Sequence, residues 1–333
     1  MTDLLYPGKQ ILLLGAGFSR NWGGWLAAEA FEYLLGCPQI DTPLRDLLWT
    51  HRDSDGFEGA LGELQTELIR APGPSTVTRL RQMETAIAQM FEAMDSGFAS
   101  VDFEFQTEHK YLVRTFLNRF DAIFTLNQDL LLERHYLNSS LSLGNPRQWS
   151  GWQMLGMRPE HTKRVHLIGG PGHENTGIWM PGGHPTVQDG LQPYVKLHGS
   201  MNWRAANDRP MIAMGGYKKN TVEAFPTLAQ LHRVFEQYLM SGPVRLMVIG
   251  YGFGDLHINI MIAAAAKAGG LHLFIIDQQG INVLDKKRDD LLLPPALLIE
   301  QLGPSVRGAS RRSLREIFGS DHVEHAKVTD FLN

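Results

Sequence analysis

The stretch Gln10-Ile11-Leu12-Leu13-Leu14-Gly15-Ala16-Gly17-Phe18-Ser19 decides the fold. Four consecutive large aliphatic residues leave no polar face. The segment therefore reads as a strand buried on both sides, as in the parallel sheet of an α/β protein. Gly15 and Gly17 let the backbone turn tightly and approach a ligand, and the following helix can offer unpaired N–H groups to a phosphate. The pattern is G-x-G-x-x-R, without the third glycine of the dinucleotide fingerprint. A plain strand–helix turn is the competing reading.

The same texture recurs along the chain. Residues 121–126 are a core strand followed by Asn127-Gln128-Asp129, and residues 194–197 a strand followed by His198-Gly199-Ser200. Residues 244–249 lead into Gly250-Tyr251-Gly252-Phe253-Gly254-Asp255, with His257 and Asn259 beyond; residues 271–276 end at Asp277. Helices are expected over 25–35, 105–120, 128–136, 225–238 and 258–268. In an open parallel sheet, ligands bind at the carboxyl edge of the strands. Five strand ends carrying glycine or polar residues point there together.

Each motif has a bland alternative. Asn127 or Thr125 can cap the next helix, Asp255 can cap the helix after it, and a histidine at a strand end is often structural. Asp277 can accept hydrogen bonds from ribose hydroxyls.

Between the strands, residues 40–98 read as a helical insertion broken near 71–74. Phe57, Leu61, Leu64 and Leu68 form one apolar stripe; Leu80, Met83, Ile87, Met90, Phe91 and Met94 form another. These stripes must bury on the nucleotide-binding part or on a second subunit. Residues 138–193 lose periodicity and read as loop with short strands at 164–168 and near Ile178. The organisation expected is residues 1–39 and 100–302 as the nucleotide-binding domain, 40–99 as the insertion, and 303–333 as a C-terminal tail with a basic stretch at 307–315.

Composition bounds the function. Of 333 residues, 43% are hydrophobic and 20% charged, which supports a sizeable core. Lys and Arg total 31 against 35 Asp and Glu, a net −4 that argues against a general nucleic-acid or anionic-membrane surface. Cys37 is the only cysteine, so no intrachain disulfide and no cysteine-rich zinc site can form. With no apolar run of about 18 residues and no signal-like start, the expectation is a cytoplasmic protein with no membrane partner. His161, His166, His173 and His184 share one loop-rich region without ligand spacing, and no metal is expected. P-loop and nucleophile-elbow motifs are absent from the sequence.

Gly-Ala-Gly-Phe-Ser at 15–19, Thr125-x-Asn127-x-Asp129, His198-Gly199-Ser200 and the 250–259 segment together resemble, in order and rough spacing, a sirtuin catalytic domain. More closely they resemble the sirtuin-like domains of bacterial anti-phage defence systems. The resemblance spans about residues 8–280. It implies a Rossmann-type α/β domain that binds NAD, with a second module inserted. It implies that Gly15, Ala16, Gly17 and Ser19 lie on the pyrophosphate side of the cofactor, with Phe18 also at the cofactor site. Asn127 and Asp129 would surround the nicotinamide and its ribose, and His198 would be the general base. Gly250, Gly252 and Asp277 would line the adenosine half, and Asp255 would also bind the cofactor. Two departures matter. Classical deacylases continue the first motif as Gly-Ile-Pro-Asp-Phe-Arg, where this chain has Asn21-Trp22-Gly23-Gly24-Trp25-Leu26. They also carry a four-cysteine zinc ribbon, which one cysteine cannot make.

The chemistry implied is cleavage of the nicotinamide–ribose bond of NAD, with water as the default acceptor, giving ADP-ribose and nicotinamide. The resemblance further implies an effector that depletes NAD. Control would come from a homo-oligomer or from a partner such as a HerA-type ATPase or an Argonaute. Protein deacylation or ADP-ribosyl transfer is a second reading, and a non-catalytic NAD or ADP-ribose sensor a third.

Overall fold

The computed structural model describes residues 9–105, 111–137, 149–160, 176–206, 208–215, 218–285 and 297–333. Its strands are β1 (Lys9–Leu14), β2 (Ala122–Thr125), β3 (Gly151–Met154), β4 (Met157–Pro159), β5 (Trp179–Pro181), β6 (Leu191–Lys196), β7 (Gly199–Arg204), β8 (Pro210–Ile212), β9 (Val244–Ile249), β10 (Leu271–Ile276) and β11 (Val306–Ser310). The helices used below are α1 (Ala16–Ser19), α2 (Ala27–Leu35), α3 (Thr42–His51), α4 (Gly56–Arg70), α5 (Pro74–Phe98), α6 (Val113–Leu117), α7 (Leu131–His135), α8 (Lys218–Ala224), α9 (Pro226–Leu239) and α10 (Leu256–Ala268).

Seven strands form one sheet in the order β11-β10-β9-β1-β2-β6-β3, every pair parallel. Helices flank it, so the chain has the expected Rossmann-type α/β architecture. The interior strands are largely apolar because both their faces are covered: Ile11, Leu12, Leu13 and Leu14 are fully buried. The strand order turns at β1, with β2 on one side and β9 on the other. Register then fixes the edge. Leu14 pairs with Thr125 and with Ile249, Thr125 with Lys196, Ile249 with Ile276, and Ile276 with Ser310. Six strands thus end at one level, and their loops must meet.

Two of the seven strands lie at the sheet edges and carry little sequence signal. β3 is half-exposed for three of its four residues, and β11 reads Val-Arg-Gly-Ala-Ser with only Ser310 buried. Residues 306–310, read from sequence as part of a tail, are therefore an integral edge strand. The helix expected over 105–120 is shorter. Leu112 is extended, and the Glu104 carboxylate accepts from the Val113 and Arg114 N–H groups, so α6 starts at Val113; residues 106–110 lie outside the described residues. The helix expected from 128 begins at Leu131, because the Asp129 carboxylate accepts from the Leu131 N–H.

A second sheet, β4-β5-β7-β8, stands beside the first. Gly199 opens β7 at φ +74, and a Cβ there would lie 1.9 Å from the Met211 carbonyl oxygen, so the glycine after His198 is required by packing. The strand expected at 164–168 and His161, His166 and His173 lie outside the described residues; His184 is exposed.

The insertion is helical as read, in α3, α4 and α5. Leu64, Met83 and Met90 are at most 2% exposed within this one chain. Most of both stripes therefore buries intramolecularly, with Leu68 only partly covered. Cys37 is buried, and burial pushes its thiol up, which suits a structural residue rather than a nucleophile.

Candidate active site

The six level strand ends open into a cleft of about 780 Å³. Loops after β1, β2, β6, β9 and β10 line it. Helix α5 of the insertion supplies one wall through Met90, Phe91 and Met94, with Trp25 beside them, and Arg312 and Arg315 close the far end beyond β11.

At the switch point the two glycine loops touch each other. The Gly15 N–H donates to the Ile249 carbonyl and the Gly17 N–H to the Gly250 carbonyl. A Cβ on Gly15 would come within 2.5 Å of the Gly250 oxygen, and one on Gly250 (φ +63) within 2.3 Å of the Gly17 backbone. These glycines are needed for loop-on-loop contact as well as for any ligand. Gly15, Ala16, Gly17, Gly250 and Gly252 do line the cleft. Phe18 does not; it is buried against Trp22 with ring centroids 5.0 Å apart.

Asn127 does not cap a helix. Its side-chain amide donates to the Gly15 carbonyl at 3.1 Å and to Ser19 Oγ at 3.0 Å, and its own N–H donates to Thr125 Oγ1. Ser19 in turn donates to Asp129 Oδ2 at 2.8 Å. Ser19 is thus the middle of an Asp129–Ser19–Asn127 chain and is buried at 3% exposure, away from the pyrophosphate role expected for it. Asp129 has both carboxylate oxygens engaged, by Ser19 and by the Leu131 N–H, while the Lys196 ammonium donates to its carbonyl at 2.6 Å. Burial pushes the Asp129 carboxyl above its usual range, against the pull of Lys196 and Ser19.

His198 follows β6 with 2% exposure. Its Nε2 lies 3.1 Å from Nε2 of His257, and the His232 ring packs 5.3 Å from that of His257. His232 Nε2 donates to the Leu197 carbonyl at 2.8 Å and so steadies the backbone just before His198. Burial lowers all three imidazoles, His198 to about 3 and His232 to about 4, so each is neutral at neutral pH.

Asp255 precedes α10 but its carboxylate makes no capping bond. It faces Lys218 of α8, whose ammonium lies 2.9 Å from Asp255 Oδ1 and 2.7 Å from Glu58 Oε2 of α4. Burial opposes ionisation of Asp255, but His198 and Lys218 outweigh it and hold the carboxyl low. The rest of the loop is locked by the Tyr251 hydroxyl, which accepts from the Asp255 N–H and lies 3.0 Å from Asn259 Oδ1, and by Asn259 donating to the Phe253 carbonyl. Asp277 sits at the cleft, its Oδ1 accepting from the Gln279 N–H.

Sequence reasoning missed Lys218, Glu58 and His232. Lys218 and Glu58 lie far apart in the chain on amphipathic or polar segments with no motif, so only tertiary packing brings them to Asp255. His257 was visible as part of the 250–259 segment, but its pairing with His198 was not. No protein-family model matches the chain, and no curated protein matches it. No helix among the described residues is long and apolar enough to cross a membrane.

Proposed function

We propose that the chain cleaves the nicotinamide–ribose bond of NAD and passes the ribosyl group to water, giving ADP-ribose and nicotinamide. The observation that carries this reading is the convergence of Asn127, Asp129 and His198 with the two glycine loops on one cleft at the carboxyl edge of a parallel sheet. The cleft volume of about 780 Å³ suits a molecule of dinucleotide size.

Cleavage leaves an oxocarbenium-like sugar, so the protein must hold the ribose and orient the attacking water. Asn127 is preorganised to do so. Two bonds fix its amide nitrogen, and its carboxamide oxygen takes no hydrogen bond among the described residues. Asp129 acts through Ser19 to hold Asn127. His198 is unprotonated across the neutral range and has a lone pair to accept a proton from water or a ribose hydroxyl. The negative pyrophosphate of a bound dinucleotide would raise its basicity, as nearby anions do. An NAD-depleting effector is the role such chemistry would serve.

The deciding experiment incubates the purified chain with NAD, with and without an acylated peptide, and measures free nicotinamide. Nicotinamide release without peptide, lowered roughly 10²-fold or more in both Asn127→Ala and His198→Ala, is the expected result. Release that needs the peptide would make the chain a deacylase. Saturable NAD binding without release would make it a sensor.

A further inference from the structure

His198, Asp255 and His257 come from two separate segments, yet their ligating atoms all lie within 4.8 Å of one another. Residues two apart do not ordinarily share a helix face. Asp255 escapes that rule because it stands before α10 in extended backbone, φ −92 and ψ 105, with its carboxylate released from capping. The two Nε2 atoms are 3.1 Å apart. Two nitrogens bonded at about 2.0–2.1 Å to one tetrahedral ion stand about 3.3 Å apart, so the rings already hold nearly that spacing. As a hydrogen bond, the contact uses one proton between two nitrogens. An ion in its place uses both lone pairs.

We propose that His198, Asp255 and His257 form a binding site for a divalent transition-metal ion of the zinc or cobalt type. Two imidazoles and one carboxylate select such ions over magnesium and calcium, which take oxygen ligands. Lys218 occupies Asp255 Oδ1, which leaves Oδ2 for the ion. Three protein ligands leave a fourth position, and His198 and Asp255 both border the cleft from which a water or ligand can fill it. His232 fixes the chain before His198 through the Leu197 carbonyl, a supporting contact of the kind metal sites use. Occupancy has a consequence for catalysis. The Nε2 lone pair of His198 cannot bind an ion and accept a proton together, so the metal-bound chain is an off state. This consequence rests on the NAD-cleavage reading; the metal site does not.

The test is titration of the untagged chain with Co²⁺. One equivalent should bind with the intense visible absorption of a four-coordinate ion and raise the melting temperature. His257→Ala and Asp255→Asn should each lose the absorption and bind roughly 10²-fold more weakly, while His184→Ala, at an exposed position, should bind as the parent does. Circular dichroism of each variant separates lost ligands from lost fold. Lys218→Met, which removes the competing cation, should tighten binding. Absence of saturable binding, or binding that survives in folded His257→Ala and Asp255→Asn, overturns the site. Parallel assays of NAD cleavage should show Zn²⁺ inhibiting with the midpoint at which it binds. Binding without inhibition would keep the site and overturn the role of His198 as base.

Discussion

At the residue scale, the Asp129–Ser19–Asn127 chain makes a specific demand. Ser19 touches no cleft surface, yet it is the contact that spaces Asn127 from the buried carboxylate. Ser19→Ala should lower the turnover number for NAD about tenfold or more by loosening Asn127, with KM changed less than about twofold, since misplacement costs rate more than binding. Steady-state nicotinamide release measures both, and an unchanged turnover number would remove the positioning role. Asn127, Asp129 and His198 were legible in the sequence because each follows closely on a buried strand, where a polar residue is conspicuous. The role of Ser19 was not legible, since the helix of which it is part gives no hint that its hydroxyl turns toward a loop distant in the chain. The glycines were legible as glycines, but the reason for them was half hidden. Nothing in Gly15 and Gly17 announces that Gly250 is the backbone they must clear.

At the element scale, interior strands declare themselves and edge strands do not. β1, β9 and β10 are largely apolar because helices cover both faces, whereas β3 and β11 need only one neighbour and stay mostly part-exposed. The insertion stripes were readable as helices, but their period could not say which surface they meet; burial of most of their residues within one chain answers that. One contact joins elements where periodicity is silent altogether. Lys196 at the end of β6 and Glu133 in α7 form an ion pair at 2.7 Å with both side chains fully buried. Lys196→Met alone should destabilise the chain by roughly 3–5 kcal/mol, because it strands a buried carboxylate. Lys196→Met with Glu133→Leu should recover much of that loss, since a buried pair is often replaceable by apolar residues. Urea midpoints measure both, and a double variant no more stable than Lys196→Met would show that the carboxylate is not the source of the cost.

At the scale of the whole molecule, the acid response has a calculable sign. Burial holds His232 at about 4, while an unfolded chain takes up that proton near ~6.5. Above ~6.5 the residue is neutral in both states and adds no pH dependence. As pH falls from ~6.5 to about 4 only the unfolded state gains the proton, so stability drops by up to about 1.4 kcal/mol per pH unit from this group. His232→Asn should remove about one proton from the uptake linked to unfolding over that interval, measured by urea midpoints against pH. An unaltered slope would place His232 in a more open setting than burial implies.

The cleft is also assembled from distant parts of the chain. The Leu314 N–H donates to Asn21 Oδ1 across 293 residues, and Gln10 Nε2 reaches the Leu332 carbonyl. On a ribosome adding ~5–20 residues per second, the first glycine loop emerges roughly 15–60 s before the segment that walls the other end of the site. A growing chain therefore carries Asn127 and His198 without the complete enclosure around them. Under the NAD-cleavage reading proposed above, activity should appear only once the segment carrying Arg312, Leu314 and Arg315 has been made and has docked on the cleft.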